Sequence, residues 1–149
     1  MSALAITSPQ FLHGGPLPEN AGAALGNQAP LLDISGVPDG AIELAMIMHD
    51  PDAPRPEGFT HWLVYGISPD TAKIDSHNLA PCRQGENDAG TVDYFGPRPP
   101  RGHGLHHYYF TVYALDCEVE GEPSRRQFLD RYARNVLEQN RIVGTFMTA

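Results

Sequence analysis

The sequence contains few basic residues. Ten Lys and Arg stand against 18 Asp and Glu, so the formal net charge is −8 at pH 7. A surface of this charge repels nucleic-acid phosphates and anionic lipid headgroups at long range, and nucleic-acid affinity comes mainly from Lys and Arg. We therefore expect no nucleic-acid partner. An anion can still bind in a local pocket, because a few well-placed donors outweigh a screened overall charge.

The sequence also has only two cysteines and no long apolar run. Cys82 and Cys117 form no CxxC motif and match no zinc-finger spacing, so two free thiols in a reducing compartment are favoured over a disulfide. No segment is apolar over the roughly 20 residues that a membrane-spanning helix needs. Residues 1–4 lack the basic and apolar regions of a signal peptide. These absences predict a cytoplasmic protein without stable membrane insertion.

Proline and glycine are abundant, with 14 Pro and 15 Gly scattered along 149 residues. Helix interiors exclude both residue types, so this composition predicts many turns and favours β structure over a helical bundle. The length suits one domain with one hydrophobic core. Residues 1–149 are therefore predicted to form a single domain.

Three segments have the pattern of strong β-strands. Residues 41–49 alternate with a period of two and are largely apolar on both faces, which is typical of a central strand. Residues 61–67 and 106–115 alternate as well. Weaker strands are expected near Ile6, at residues 11–12 and 31–34, and at residues 142–147.

Alternation also predicts the face that each side chain occupies. It places His61 with Leu63 and Ile67 on the face opposite Trp62. In the third strand it places His106 and Tyr108 on one face, and His107 on the other.

One helix is predicted towards the C-terminal end. Ser124 and Gln127 have the spacing of a capping box, in which each side chain bonds the backbone N–H of the other residue. Apolar residues then recur at helical spacing from Phe128 to Leu137. Together with the strands, this predicts a mainly β fold of two sheets packed face to face with one helix.

Polar side chains cluster at the ends of the three strong strands. Asp50 and Asp52 follow the first strand, His61 begins the second, and His106 begins the third after a loop rich in Pro and Gly. Each of them has an ordinary structural explanation when taken alone, such as an Asp that caps a turn. Because strand ends are where a rigid scaffold presents functional groups, their combination predicts one shared pocket at an edge of the sheet.

Two of these segments form recognisable motifs. DPDAP stands at residues 50–54, HW follows at 61–62, and PPRGHGLHHY stands at 99–108. In this order they strongly resemble the phosphatidylethanolamine-binding protein family, which includes the Raf kinase inhibitor proteins and short bacterial members. The compact chain is more similar to the bacterial members.

The resemblance implies a mainly β, antiparallel Greek-key β-sandwich with one helix, a small anion pocket, no cofactor and no enzymatic activity. Carried over to this sequence, the pocket falls on Asp50, His61, His106 and Tyr108, with Asp52 and Pro54 shaping one wall and Pro99 and Pro100 the opposite rim. The resemblance also implies a homodimer, and regulation of a partner such as a kinase or protease.

Two positions depart from the family pattern. The family usually has Arg between the His and the Tyr of the last motif, where this chain has His107. Alternation turns that side chain away from the pocket. Arg98 replaces a small residue common in eukaryotic members, and it would narrow the mouth of the pocket or add a cation.

The chemistry of the implied pocket suits an oxyanion, which needs hydrogen-bond donors. Imidazole N–H groups and the Tyr108 hydroxyl can supply them, while Pro99 and Pro100 stiffen the rim. The Asp50 carboxylate repels an anion, so its expected role is to orient a histidine and favour its charged form. We therefore expect small phosphate-bearing or other anionic ligands, bound more tightly as the pH falls through the histidine titration.

Two other classes of function are compatible with the sequence. Two or three His and a carboxylate can hold a zinc ion and a water, as in a metal-dependent hydrolase, although no close-spaced motif such as HExxH occurs. Alternatively, the chain is an interaction protein that inhibits a kinase or protease, with the pocket as its regulatory site.

Overall fold

The fold consists of β-strands in two sheets and one α-helix, seen in a computed structural model that describes residues 3–149. The strands are β1 (Ala5–Thr7), β2 (Leu32–Ser35), β3 (Glu43–Asp50), β4 (Phe59–Ile67), β5 (Lys73–Ile74), β6 (Arg83–Gln84), β7 (His106–Leu115) and β8 (Val136–Phe146). Helix α1 (Arg125–Tyr132) precedes β8, and 3₁₀ turns lie at Glu19–Ala21 and Ala133–Asn135. The predicted mainly β fold with one helix is confirmed.

The larger sheet has the strand order β6-β4-β3-β7-β8, and its neighbouring strands are antiparallel. All residues of β3 are buried, as its two apolar faces predict for a central strand. The chain runs through β3, β4 and β6 as successive neighbours, and β7 then returns to lie beside β3. This is the order of a Greek key, which the resemblance implied.

The smaller sheet, β1-β2-β5, covers one face of the larger sheet. The two sheets bury a shared core that includes Leu32, Ile34, Ile74, Met46, Trp62 and Phe110. This arrangement confirms the two packed sheets and the expected strands at Ile6 and at residues 31–34. The strand expected at residues 11–12 was wrong: Phe11 packs on Phe110 from a loop, with ring centroids 5.8 Å apart, and Leu12 is exposed.

A β-bulge at the start of β4 changes the face on which His61 lies. Met48 of β3 pairs with Trp62, and His49 pairs with Thr60, so His61 is an extra residue in β4. The alternation that placed His61 on the face opposite Trp62 was therefore wrong. His61 contacts the ring of Tyr108, edge to face at 5.2 Å between ring centroids, on the same side of the sheet as Trp62.

A second bulge lies at Gly66, towards the other end of β4. Leu44 pairs with Ile67 and Met46 with Val64, which again leaves one extra residue in β4. Gly66 has φ 73°, a conformation that suits glycine, and its N–H donates to the buried Glu43 carboxylate at 2.9 Å. The bulge turns Ile67 into the core between the sheets, so its predicted placement beside Leu63 was wrong.

Helix α1 covers the other face of the larger sheet. Its N-terminus is the predicted capping box, with Ser124 Oγ accepting from Gln127 N at 3.2 Å and Gln127 Oε1 accepting from Ser124 N at 3.0 Å. Phe128 is fully buried, and its ring lies 5.7 Å from that of Tyr65 and 5.0 Å from that of Tyr113, measured between centroids. A second core thus forms between the helix and the sheet.

The helix ends at Tyr132, earlier than its apolar spacing predicts. Val136 and Leu137 belong to β8 instead, and Val136 pairs with Leu115. Asp116 holds this junction, because its N–H donates to the Asn135 carbonyl at 3.0 Å and its carboxylate accepts from the Asn135 side chain at 2.9 Å. Pairing with β7 overrides the helical preference of the segment.

Two further findings concern membrane-spanning helices and the cysteines. No helix within residues 3–149 is long and apolar enough to cross a membrane. Cys82 and Cys117 are both free thiols, as their spacing favoured.

Candidate functional site

A cavity of about 200 Å³ lies at one edge of the larger sheet, where β3 ends and where β4 and β7 begin. Antiparallel pairing brings these three strand ends together. All of the predicted site residues except Asp52 line the cavity: Asp50, Pro54, His61, Pro99, Pro100, His106 and Tyr108. The geometric expectation of one shared pocket is therefore met, while a binding role for these residues stays a prediction.

The cavity contains a buried pair formed by His106 and Asp50. His106 Nδ1 lies 2.7 Å from Asp50 Oδ2, and both side chains are less than 5 % exposed. Asp50 Oδ1 also accepts from the backbone N–H of Asp52 at 2.7 Å. A carboxylate fixed in this way orients the imidazole and leaves its Nε2 as the free ring nitrogen.

Tyr108 lies next to this pair on the same face of β7. Its side chain is 1 % exposed. Burial raises the pKa of Tyr108 well above its ordinary value, and the negative charge of Asp50 raises it further. The phenol therefore keeps its proton and acts as a hydrogen-bond donor.

His61 lies among aromatic rings on the opposite wall. Its ring stacks on Phe95, 6.0 Å between centroids, and lies 4.6 Å from Phe59. Nδ1 is 2.5 Å from the Phe95 carbonyl, which can only accept, so Nδ1 carries the proton. Burial lowers the pKa of His61 to about 4, and the ring is neutral at pH 7 with Nε2 as an acceptor.

Asp52 lies outside the cavity lining, and its carboxylate is partly exposed. Its Oδ2 accepts from the backbone N–H of His107 at 2.8 Å and lies 2.7 Å from His107 Nδ1. Partial burial acts to raise the pKa of Asp52, but the hydrogen bonds from His107 lower it below its ordinary value. The pair ties the loop after β3 to the start of β7. His107, which stands where the family usually has Arg, therefore has a hydrogen-bonding partner in Asp52. His107 is exposed, as alternation predicted.

Besides Arg98, four further residues complete the cavity: Ala53, Arg55, Phe59 and Phe95. The sequence offered a signal for two of them, since Ala53 lies within the DPDAP motif and Arg55 directly follows it. Arg55 lies over the Phe59 ring, with its guanidinium carbon 5.4 Å from the centroid. Arg98 also lines the cavity, as its position in the loop predicted. Neither Arg55 nor Arg98 forms an ion pair within the described part of the chain.

A larger groove of about 790 Å³ adjoins the cavity and shares Arg98, Pro99 and Pro100 with it. Its other walls come from residues 16–25 and from residues 145–149. Leu25, Leu105 and Met147 line it and are each more than half exposed. The mouth of the polar cavity therefore opens beside an apolar surface.

The metal-dependent alternative requires a set of His, Cys, Asp or Glu ligands close together in space. Among the side chains of residues 3–149, no three His, Cys, Asp or Glu lie close enough together to hold a metal ion. In the cavity, Nδ1 of His106 is hydrogen-bonded to Asp50, and Nδ1 of His61 is hydrogen-bonded to the Phe95 carbonyl.

Residues 7–147 match the sequence profile of the family described as phosphatidylethanolamine-binding protein. The chain belongs to this family. Its sequence is 39% identical over 146 residues to LppC of Mycobacterium tuberculosis, a protein named as a candidate lipoprotein, with 96% of this chain and 72% of LppC covered.

Solved structures of the family share the fold. The phosphatidylethanolamine-binding protein homolog CT736 from Chlamydia trachomatis has a TM-score of 0.91 and 31% identity, with both chains fully covered. The E. coli family member YbcL has a TM-score of 0.89 and 28% identity, with 98% of this chain and 99% of YbcL covered. These relatives confirm the family and the fold that the motifs indicated.

Proposed function

We propose that this protein is a non-enzymatic binder of small phosphate-bearing anions, held in the cavity at the ends of β3, β4 and β7. The observation that carries the proposal is the buried His106–Asp50 pair in a small cavity whose lining also holds two arginines without ion-pair partners in residues 3–149. The volume of about 200 Å³ is below the roughly 300–1,000 Å³ typical of pockets for drug-sized ligands, so the cavity suits a single small group.

The two histidines have different roles in this proposal. His106 shares its Nδ1 proton with Asp50, and protonation of Nε2 then adds a donor and a positive charge beside the anion. The Asp50 carboxylate compensates the positive charge of the doubly protonated His106 ring. Without that ring the carboxylate would repel the ligand. His61 is neutral and offers an accepting Nε2, which suits the P–OH group of a partly protonated phosphate.

The arginines supply charge at the mouth of the cavity. Guanidinium groups bind phosphate oxygens through pairs of parallel hydrogen bonds. Arg55 and Arg98 line the cavity, and their side chains are exposed enough to close on a ligand. The adjoining groove gives a ligand's apolar substituent a surface to lie on, so the proposed ligands include phosphate esters as well as free phosphate.

Isothermal titration calorimetry with phosphoethanolamine tests the proposal, at pH 7 and at constant ionic strength. We expect saturable binding with a stoichiometry of one, because the cavity suits a single small group. His106→Gln should weaken binding at least tenfold, because it removes the ring that Asp50 orients in the cavity. His77→Gln is the matched control, since His77 is exposed and bonds Gln28 away from the cavity. No saturable binding by the wild type, or an affinity that His106→Gln leaves unchanged, would overturn the proposal.

The remaining expectations rest on the family resemblance and stay predictions. They are the homodimer, the kinase or protease partner and the absence of enzymatic activity. The single domain, which the chain length predicts, also stays a prediction. A cytoplasmic location is likewise a prediction, since one relative is named as a candidate lipoprotein.

A further inference from the structure

A second cavity lies on the opposite face of the larger sheet, beside helix α1. Its volume is about 370 Å³. Strands β3, β7 and β8 form its floor through Ile47, Tyr109 and Arg141, and α1 contributes Arg125 and Leu129. Adjacent residues of β3 point to opposite faces, so His49 lines this cavity and Asp50 lines the first.

Two arginines give this cavity its positive charge. Arg125 is half-buried at the start of α1, and Arg141 lies over the ring of Tyr109 with its guanidinium carbon 5.1 Å from the centroid. Neither forms an ion pair within residues 3–149, whereas Lys73, Arg83 and Arg126 pair with Asp33, Glu122 and Glu57. In a chain of net charge −8, two cations without carboxylate partners in one cavity are available to an anion.

Neutral polar side chains line the same cavity as the two arginines. Tyr113 is 7 % exposed, and Thr111 and Gln139 line the same cavity. Burial raises the pKa of Tyr113 although Arg125 and Arg141 act to lower it, so its hydroxyl keeps the proton. These hydroxyl and amide groups can donate to an oxyanion.

The acidic groups nearby line an adjoining pocket and not the second cavity itself. Glu57, Glu86 and Asp88 line a separate pocket of about 170 Å³, which shares His49 and Arg125 with the second cavity. Asp88 already accepts from the Thr60 N–H at 2.7 Å, and Glu57 pairs with Arg126. His49 adds no charge, because burial and then Arg125 lower its pKa to about 4.

We propose that this second cavity is an oxyanion site, in which Arg125 and Arg141 clamp a phosphate or phosphomonoester while the Tyr113 hydroxyl and the Gln139 amide complete its hydrogen bonds. Two guanidinium groups on either side of one anion match the charge and the planar bonding of phosphate oxygens. The site is independent of the cavity that contains His106, because the larger sheet separates them.

Titration of ¹⁵N-labelled protein with inorganic phosphate, followed by NMR, tests this site without any substitution. We expect saturable shifts of the Thr111, Tyr113 and Gln139 amides, with a stoichiometry of one at this cavity. In the double variant Arg125→Gln/Arg141→Gln these shifts should need at least tenfold more phosphate. Arg134→Gln is the control, because Arg134 is exposed in the 3₁₀ turn outside the cavity and should leave the curve unchanged.

The outcomes separate this site from the proposed function. Loss of the second-cavity shifts in the double variant, with His106→Gln leaving them intact, supports the inference whatever happens at the first cavity. Linear, non-saturating shifts in the wild type would overturn it. So would an equal loss in Arg134→Gln, which would indicate general attraction to surface charge.

Discussion

His61 and His49 are buried histidines on opposite faces of the larger sheet, and both are held neutral. Burial is the first cause in each case, and it lowers the pKa of each to about 4. Each ring has a fixed partner for Nδ1: the Phe95 carbonyl for His61 and Thr60 Oγ1, at 3.0 Å, for His49. The Phe95 carbonyl also fixes the tautomer of His61, because a carbonyl oxygen can only accept. With both of these rings neutral, His106 is the histidine paired with a carboxylate at the first cavity.

The depressed pKa values predict that stability falls in acid. In the unfolded chain a histidine binds its proton near pH 6.5, whereas the folded protein resists protonation until about pH 4. The contribution is therefore fully present above pH 6.5 and is lost as the pH falls towards 4. For His61 the expected loss between pH 7 and pH 5 is about 2 kcal/mol.

Urea denaturation at pH 7, 6 and 5 measures this loss. His61→Gln should make the unfolding free energy depend less steeply on pH, because only His49 then resists protonation in this range. His77→Gln, which changes an exposed histidine, should retain the wild-type slope. Equal slopes for the wild type and His61→Gln would show that the buried ring does not resist protonation.

Among the structural elements, the turn between β3 and β4 sets the geometry of the first cavity. Gly58 closes this turn with φ 70°. A Cβ atom there would clash with the backbone carbonyl of Asp50 and would lie 2.8 Å from His49 Nε2. The turn is therefore tightly packed against the two residues that end β3, and a side chain at this position would displace Asp50.

Gly58→Ala should destabilise the protein and weaken phosphate binding. Gly90→Ala is the matched control, because Gly90 also has a positive φ, 86°, but no atom lies within 4 Å of its Cβ position. Both variants carry the cost of a left-handed alanine, about 1 kcal/mol. Gly58→Ala adds overpacking, about 1–3 kcal/mol more. Urea denaturation and phosphoethanolamine calorimetry on both variants check this; equal losses of stability would contradict the packing shown here.

The strands show which parts of the fold can be predicted from sequence. β3 and β7 are buried on at least one face along their length, so their alternation matches the structure closely. β8 is an edge strand whose middle, residues 138–141, is polar. Its first half therefore has no alternating apolar pattern from which a strand could be predicted. Its first residues instead continued the helical spacing of α1, and only pairing with β7 decides their conformation.

In the candidate site, too, strand pairing decides features that the local sequence does not reveal. The motifs identified seven of the twelve lining residues, including every histidine and carboxylate, because these polar side chains stand at strand ends. The face of His61 could not be predicted, since it depends on a bulge that is set by the register between β3 and β4. Phe59 and Phe95 could not be found either, because nothing distinguishes them locally from core aromatic residues.

For the whole molecule, the larger sheet separates two cavities of different character. One contains a buried His–Asp pair and opens beside an apolar groove, and the other lies under α1 between two arginines. Both are local concentrations of donors in a chain of net charge −8. Such a chain attracts anions poorly at long range, so affinity must come from the cavities themselves.

The most direct test of the account is a crystal structure of the protein soaked with phosphoethanolamine. The account predicts a phosphate group in the first cavity, within hydrogen-bonding distance of His106 Nε2 and of at least one of Arg55 and Arg98. A first cavity without ligand at a saturating concentration, including the case in which phosphate occupies only the second cavity, would contradict it.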